Sequence, residues 1–179
     1  MSRSHIPASI EGALPASQVM LQDVKKRLGV VPNLFRLVSQ SPSALEGYLG
    51  LMGALGKGEL PAQTRERIAL AVGQVNGCQY CLSAHTYLAT NVARLDAAEI
   101  AANRRGQSQD TQANAAVGFA TKVARERGRV GEEDLRTVRE AGYTDAQILE
   151  IIQHVALNVW TNYVNNVFDT DIDFPKVEV

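Results

Sequence analysis

Apolar residues in this chain recur every three or four positions, which is the spacing of one helix face, over most of its length. The longest such segment begins after Thr144 and Gln147, a pair with capping-box spacing, and continues to about Val167. No run alternates apolar and polar residues between turn signals, as paired strands would. The pattern therefore predicts an all-α protein of about eight to ten helices.

The length of 179 residues allows one domain with a substantial core. We predict a flexible N-terminal extension at residues 1–14 and a single all-α domain at residues 15–179. The net charge of −1 gives no electrostatic reason to expect nucleic acid or an anionic membrane as a partner. The N-terminus has no apolar signal-peptide core and no apolar run reaches membrane-spanning length, so a cytoplasmic protein is expected.

Two segments, residues 68–72 and 155–160, are apolar on more than one side of a helix. Such helices are buried against a second subunit or at the centre of a monomer, and we favour the homo-oligomer. Glycines in the helical segment that follows Ser41 and Pro42 weaken it as an isolated helix, so we expect close packing there. These glycines are Gly47, Gly50 and Gly53.

Cys78 and Cys81 are the only cysteines in the chain, and His85 is one of only three histidines. On a helix these three residues share one face, because positions three and four apart are neighbours. A Cys-x-x-Cys pair at a helix start can close a disulfide, and a nearby imidazole can take a thiol proton. This constellation is typical of dithiol redox chemistry in a reducing compartment.

The residue types leave open which sulfur attacks first. The helix dipole favours Cys78, whereas the nearby base favours Cys81. Glu66, on the preceding helix, is the candidate carboxylate that orients His85. For straight antiparallel helices the two side chains are offset by roughly 7 Å along the axis, so a direct hydrogen bond needs shifted helices and a bridging water is plausible.

Other interpretations of these residues remain open. The cysteines can be inert core residues, or they can bind zinc together with His85 and Glu66. His154 lies among apolar residues and is interpreted as a hydrogen-bonded core histidine. Asn162, Asn165 and Asn166 line an interface or a substrate entry, or cap a helix end, and we prefer the cap.

The set Glu66-x11-Cys78-x2-Cys81-x3-His85 resembles the signature of alkylhydroperoxidase D, in the carboxymuconolactone decarboxylase superfamily. The fragment "VNGCQYCLSAH" is close to the core of that family. The fragments "VVPNLFRLVSQSP" and "NVFDTDIDFP" resemble the flanks of its peroxidase-related branch. The resemblance covers roughly residues 20–175.

This resemblance implies an all-α homo-oligomer (a dimer, trimer or hexamer) and a thiol-dependent peroxidase without bound cofactor or metal. It implies that Cys81 attacks a hydroperoxide, that Cys78 resolves the product to a disulfide, and that His85 is the base. Glu66 then supports His85 through a water-mediated relay. An external dithiol, of lipoyl type or from a reducing protein, regenerates the thiols.

Tyr80 departs from the pattern, since some members of the family carry a histidine before the second cysteine. A phenol donates a hydrogen bond but is a poor base at neutral pH. The alternative function is therefore a disulfide-exchange or redox-sensing protein that uses the same cysteine pair with little peroxidase turnover. A metal-bound structural protein is a third hypothesis.

Overall fold

The computed structural model of the chain describes residues 2–179, and all of the regular secondary structure in these residues is helical. This confirms the all-α prediction, and the nine helices of the described residues lie within the predicted range. The helices are α1 (Pro15–Leu28), α2 (Asn33–Val38), α3 (Pro42–Leu55), α4 (Ala62–Val75), α5 (Gln79–Asn91), α6 (Ala97–Arg104), α7 (Thr111–Glu126), α8 (Glu132–Glu140) and α9 (Asp145–Phe168).

Helix α4 lies at the centre of the fold and packs against α5, α6, α7 and α9. Every residue from Ile68 to Val72 is buried within the single chain. The central position of α4 therefore accounts for a segment that is apolar on all sides, without a second subunit. The homo-oligomer remains a prediction.

Three apolar clusters form the core around α4. One joins α4, α7, α8 and α9 and includes Ile151. A second joins α1, α2 and α3 to the start of α5, and it contains Leu45 together with Cys78 and Cys81. A third, smaller cluster lies between α4, α5 and α6 and includes Leu82. The cysteine pair is thus part of a packed core and not of a surface loop.

Polar caps fix several helix starts where the sequence predicts them. Ser41 accepts a hydrogen bond from Ala44 N at the start of α3, and Thr144 and Gln147 form the predicted capping box of α9. At α6 only one half of a capping box forms. Asp96 accepts from Glu99 N, but the Glu99 side chain turns away to a buried polar cluster.

The surface that α3 and α9 share is more open than the sequence predicts. A Cβ added at Gly47, Gly50 or Gly53 would meet no atom of the described residues within 4 Å, so the expected close packing is not found within the chain. A hollow of about 290 Å³ lies beside this face and is lined by residues that include Gly47, Tyr48 and Trp160. An exposed apolar stripe runs along α9 through Leu149, Ile152, Trp160, Tyr163 and Val167.

The division into an extension at 1–14 and a domain at 15–179 remains a prediction. Residues 2–14 contain no helix, but they contact the helical part of the chain. Arg3 N donates to Phe168 O, and Arg36 Nη1 donates to the carbonyl oxygens of Pro7 and Ala8. Among the described helices, none has the length and apolar character needed to cross a membrane.

Candidate functional site

A tight turn between α4 and α5 places the cysteine pair at the start of α5. Asn76 ends α4, and Gly77 has a φ of +59°, which glycine adopts without strain. Cys78 N then donates to Gly73 O over 3.0 Å, which ties the turn back onto α4. The two helices leave this turn side by side, so side chains of α4 and α5 meet across a short loop.

Cys78 is the N-cap of α5, and its sulfur accepts a hydrogen bond from Cys81 N at 3.2 Å. Sulfur thus occupies the place that a serine or aspartate oxygen takes in most caps. Cys78 and Cys81 are joined in a disulfide, with their Cα atoms 5.3 Å apart. Their exposed fractions are 0% and 4%, so both sulfurs are buried in the described chain.

His85 lies one turn beyond Cys81 and contacts Glu66 directly. His85 Nδ1 and Glu66 Oε2 are 2.8 Å apart, and the two side chains are 23% and 22% exposed. A direct hydrogen bond therefore takes the place of the expected water bridge. With Nδ1 engaged by the carboxylate, Nε2 is the ring nitrogen left for proton transfer.

Tyr80 points away from this pair. Its hydroxyl donates to Asp173 Oδ1 at 2.8 Å and accepts from Leu34 N at 3.2 Å. Burial raises the pKa of Tyr80 well above its usual value, and the neighbouring Asp173 carboxylate raises it further. The phenol therefore stays protonated at neutral pH and links α2 to the end of the chain.

The segment that follows α9, residues 170–179, lies along α5. The Phe174 ring packs edge-on against Tyr80 and also contacts Tyr87, with centroid distances of 5.8 and 5.9 Å. Val177 N donates to Ser83 Oγ at 3.2 Å. This strap, as we call residues 170–179, covers the side of α5 that carries Tyr80 and Ser83.

The asparagines of α9 reach the cysteine region from the other side. Asn165 Nδ2 donates to Cys81 Sγ at 3.3 Å, and Asn162 Oδ1 accepts from Asn76 Nδ2 at 2.9 Å. Asn166 Nδ2 donates to Asn76 O, at the end of α4. The preference for a cap of α9 was wrong, because α9 ends at the left-handed Asp169 and these side chains bind α4 and α5.

The sequence predicts a role for Asn165 at an interface, a substrate entry or a helix cap, but it does not predict the contact of Asn165 with sulfur. The signal available was the spacing of Asn158, Asn162 and Asn165, which places three amides on one face of a helix. That face also carries His154, which is 5% exposed. A buried polar stripe on an otherwise apolar helix marks the side of α9 that faces the site.

His154 is a core histidine, as expected, but not a fully hydrogen-bonded one. Within residues 2–179 its Nε2 has no hydrogen-bond partner. Burial and the nearby Arg65 charge lower the pKa of His154 to about 4, against the opposing effect of Glu150 and Glu66. His154 is therefore neutral at neutral pH.

No group of three or more histidine, cysteine, aspartate or glutamate side chains in the described chain is arranged to hold a metal ion. The sulfurs of Cys78 and Cys81 are bonded to each other, and His85 is paired with Glu66. The zinc hypothesis therefore gains no support from the arrangement of these side chains.

Comparison with known proteins found a matching family profile and similar solved structures. The sequence profile of the carboxymuconolactone decarboxylase family matches residues 42–126. An uncharacterized peroxidase-related protein from Ralstonia eutropha, with an alkylhydroperoxidase D core, superposes with a TM-score of 0.85. That protein is 26% identical, and the match covers 96% of this chain and 92% of that one.

Two further similar proteins are less informative about function. The debrominase Bmp8, solved with 2,3,4-tribromopyrrole, superposes with a TM-score of 0.80 at 20% identity, over 97% of this chain and 94% of that one. It shares the fold. An uncharacterized protein of Haemophilus influenzae is 41% identical over 68 residues. That match covers 37% of this chain and 60% of the relative, so the chain spans less than two thirds of it.

Proposed function

We propose that the chain is a thiol-dependent peroxidase with an antioxidant role, because it matches the carboxymuconolactone decarboxylase family profile over residues 42–126 and has the alkylhydroperoxidase D-like fold. Cys81 attacks the hydroperoxide, Cys78 resolves the product, and His85 with Glu66 activates the thiol. The observation that carries the proposal is the Cys78–Cys81 disulfide at the start of α5, one turn from a histidine hydrogen-bonded to a carboxylate.

The positions of the two sulfurs support this division of labour. Cys81 is one turn from His85, which can take its proton. Cys78 is the N-cap of α5, where the helix dipole and Cys81 N stabilise a thiolate. A stabilised thiolate is suited to the resolving step, and it is also a good leaving group when the disulfide is reduced.

The cycle balances without a bound cofactor. The Cys81 thiolate takes the hydroxyl oxygen of the peroxide, and the O–O bond breaks to release an alcohol or water after protonation by His85. The sulfenic acid formed on Cys81 condenses with Cys78, which forms the disulfide and releases water. An external dithiol, of lipoyl type or carried by a reducing protein, then returns both cysteines to thiols and is itself oxidised.

The open surface of α3 and α9 supports a homo-oligomer (a dimer, trimer or hexamer). The glycine face of α3 has room for a close approach, and the apolar stripe of α9 is exposed in the single chain. A stripe of this length on a globular protein is the usual mark of an interface. We assign it to a second copy of this chain.

One observation favours the alternative, a disulfide-exchange or redox-sensing protein. Both sulfurs are buried, with the strap on one side of α5 and α9 on another. A peroxide must reach Cys81 through this packing. If it cannot do so quickly, the same disulfide would instead report the redox state to a partner dithiol.

The test is a stopped-flow reaction of the pre-reduced protein with hydrogen peroxide and with an organic hydroperoxide, with thiols counted before and after. The wild type should lose two thiols per chain, Cys78→Ser should stop at a sulfenic acid, and Cys81→Ser should not react. The reverse pattern in the two variants would make Cys78 the attacker. An unreactive wild type that still exchanges with dithiols would establish the alternative.

A further inference from the structure

Asn165 contacts the sulfur that is proposed to attack. Its Nδ2 donates to Cys81 Sγ at 3.3 Å, although the two residues are 84 positions apart in the chain. Asn165 is 3% exposed, so the contact is shielded from water. In the disulfide this sulfur is a weak acceptor, whereas the same sulfur as a thiolate is a strong one.

The other half of the Asn165 amide is unused. Its Oδ1 is buried and has no hydrogen-bond partner in the part of the chain that the structure describes. An amide oxygen without a partner in a core costs stability unless something binds it. Oδ1 and Nδ2 belong to one planar group, so the free acceptor is part of the same amide that contacts the sulfur.

We propose that Asn165 is a catalytic residue that holds the Cys81 thiolate with Nδ2 and accepts the O–H of the incoming peroxide with Oδ1. Only the second of these roles, the acceptance of the peroxide O–H by Oδ1, rests on the proposed peroxidase function. An amide suits both tasks because it does not ionise, so it offers the same donor and acceptor at every working pH. A carboxylate there would repel the thiolate.

The contact with Asn165 also distinguishes the environments of the two sulfurs. Cys78 Sγ accepts from Cys81 N within the same helix turn, whereas Cys81 Sγ accepts from a side chain of another helix. A free acceptor for a peroxide O–H accompanies only the second contact. Asn165 thus favours attack by Cys81, on grounds independent of His85.

In the reaction, Oδ1 binds the hydroxyl group whose oxygen the sulfur takes. The S–O bond forms as the O–O bond breaks, and the electron pair of that bond goes to the departing oxygen. That oxygen receives a proton from His85 and leaves as water or an alcohol. Sulfur is oxidised and the peroxide reduced, and Oδ1 keeps the O–H of the resulting sulfenic acid.

The experiment compares Asn165→Leu and Asn165→Ala with their parent, Cys78→Ser, in which Cys81 is the only thiol. Iodoacetamide rates across pH give the pKa of Cys81, since alkylation needs the thiolate but no O–H acceptor. Hydrogen peroxide rates are then measured at a pH where the thiol is fully ionised. Asn162→Leu in the same parent is the matched control, because Asn162 is as buried but binds Asn76.

Both Asn165 variants should titrate at a thiol pKa about one unit higher than the parent. At full ionisation they should react with peroxide about 10-fold more slowly, with iodoacetamide rates unchanged, because each variant lacks one hydrogen bond to a reacting group. Asn162→Leu should match the parent in both. Circular dichroism verifies that each variant is folded, and Asn165→Ala serves if Asn165→Leu does not fold.

The inference would be overturned if both Asn165 variants had the thiol pKa and the peroxide rate of the parent. It would also be overturned if Asn162→Leu changed these two quantities as much as the Asn165 variants do. An equal loss with peroxide and iodoacetamide at full ionisation would overturn the role of Oδ1. A parent that titrates and alkylates normally but does not react with peroxide would overturn the peroxidase proposal and the role of Oδ1 together. The thiol pKa alone would then decide the role of Nδ2.

Discussion

Two polar clusters lie at adjacent positions of α4 and differ in how their groups are paired. In the first, which we call the carboxylate cluster, Arg67 and the α6–α7 loop surround Glu99. In the second, the sulfur site, Glu66 and His85 lie one turn from Cys81, and Asn165 completes the set. The carboxylate cluster consists of Arg67, Glu99, Asn103, Ser108 and Gln109.

Glu99 is saturated with donors. Its Oε1 accepts from Arg67, Asn103 and Ser108 at 2.6–2.9 Å, and its Oε2 accepts from Gln109 N at 2.7 Å. Burial alone would raise the pKa of Glu99, but these hydrogen bonds outweigh it and lower the pKa to about 2. Such a carboxylate fixes the loop in place and has little capacity left to bind a proton.

An unpaired amide oxygen does not by itself distinguish the two clusters. Asn103 Oδ1 in the carboxylate cluster is as unpaired as Asn165 Oδ1 among the described residues. The difference lies in what the rest of the amide touches, which is a saturated carboxylate in one case and a disulfide sulfur in the other. We infer that the carboxylate cluster holds the fold, whereas the sulfur site is the one that we propose binds a reactant.

The largest expected effect is on the sulfur site. His85→Asn should slow the reaction of Cys81 with hydrogen peroxide at pH 7 by about 100-fold, because it removes the general base and the acid for the leaving oxygen. His85 is partly exposed, so thermal stability should change little. Stopped-flow thiol oxidation and a thermal melt measure the two quantities. An unchanged rate would remove His85 and Glu66 from the mechanism.

At the carboxylate cluster we expect the opposite, a loss of stability with little change in thiol reactivity. Glu99→Gln should lower the free energy of unfolding by about 3 kcal/mol, because it leaves the buried Arg67 charge without its partner. The reactivity of Cys81 should stay at the wild-type value. Urea unfolding measures the change, and Glu133→Gln is the control, since the exposed Glu133–Arg136 pair should contribute less than ~1 kcal/mol.

A loss of thiol reactivity in folded Glu99→Gln, comparable with that in His85→Asn, would contradict the division between the clusters. It would mean that the α6–α7 loop positions the sulfur site through α4.

Acid should separate two buried groups by the pH at which each weakens the fold. The folded-state pKa of His154 is lowered from 6.5 to about 4, so the unfolded chain binds the extra proton first. Stability is therefore lost as the pH falls from about 6.5 to 4. The folded-state pKa of Glu99 is lowered from 4.5 to about 2, so its contribution is lost as the pH falls from about 4.5 to 2.

Urea unfolding at a series of pH values tests this assignment. His154→Gln should reduce the pH dependence of the free energy of unfolding between about pH 6.5 and 4 and leave it unchanged between about pH 4.5 and 2. Glu99→Gln should do the opposite. The same slope in His154→Gln as in wild type between pH 6.5 and 4 would show that the pKa of His154 does not differ between the folded and unfolded chain.

The parts of the site that the sequence predicts are those within one helix. Cys78, Cys81 and His85 share a face of α5 because helix geometry alone sets their spacing. Glu66 is the candidate carboxylate on the preceding helix, and the family resemblance includes it. Its direct contact with His85 is not predicted, since the way two helices pack depends on the whole core.

Contacts between distant segments could not be predicted in the same way. Asn165 reaches Cys81 across 84 residues, and Tyr80 reaches Asp173 across 93. Single-sequence patterns show which residues share a face of one helix, but not which face of α9 meets α5. The open glycine face of α3 was missed for the same reason, because packing beyond the helix decides whether a glycine has a neighbour.

The smallest effect concerns the strap. Tyr80→Phe removes the hydroxyl that Asp173 and Leu34 N share, and it should lower stability by about 1 kcal/mol. With the strap held less firmly, the pre-reduced thiols should react a few-fold faster with a bulky aromatic disulfide reagent, because local opening of few contacts controls access to buried groups. Iodoacetamide, which is smaller, should show a lesser change.

Tyr87→Phe is the control for this change, because Tyr87 also contacts Phe174 but its side chain is largely exposed. It should leave both labelling rates at wild-type values. If Tyr80→Phe also leaves them unchanged, the strap does not limit access to Cys81, and reactants must enter from the partly exposed side of His85 and Glu66. The sulfur site would then be open on the side of His85 and Glu66, and the strap would not keep a peroxide from Cys81.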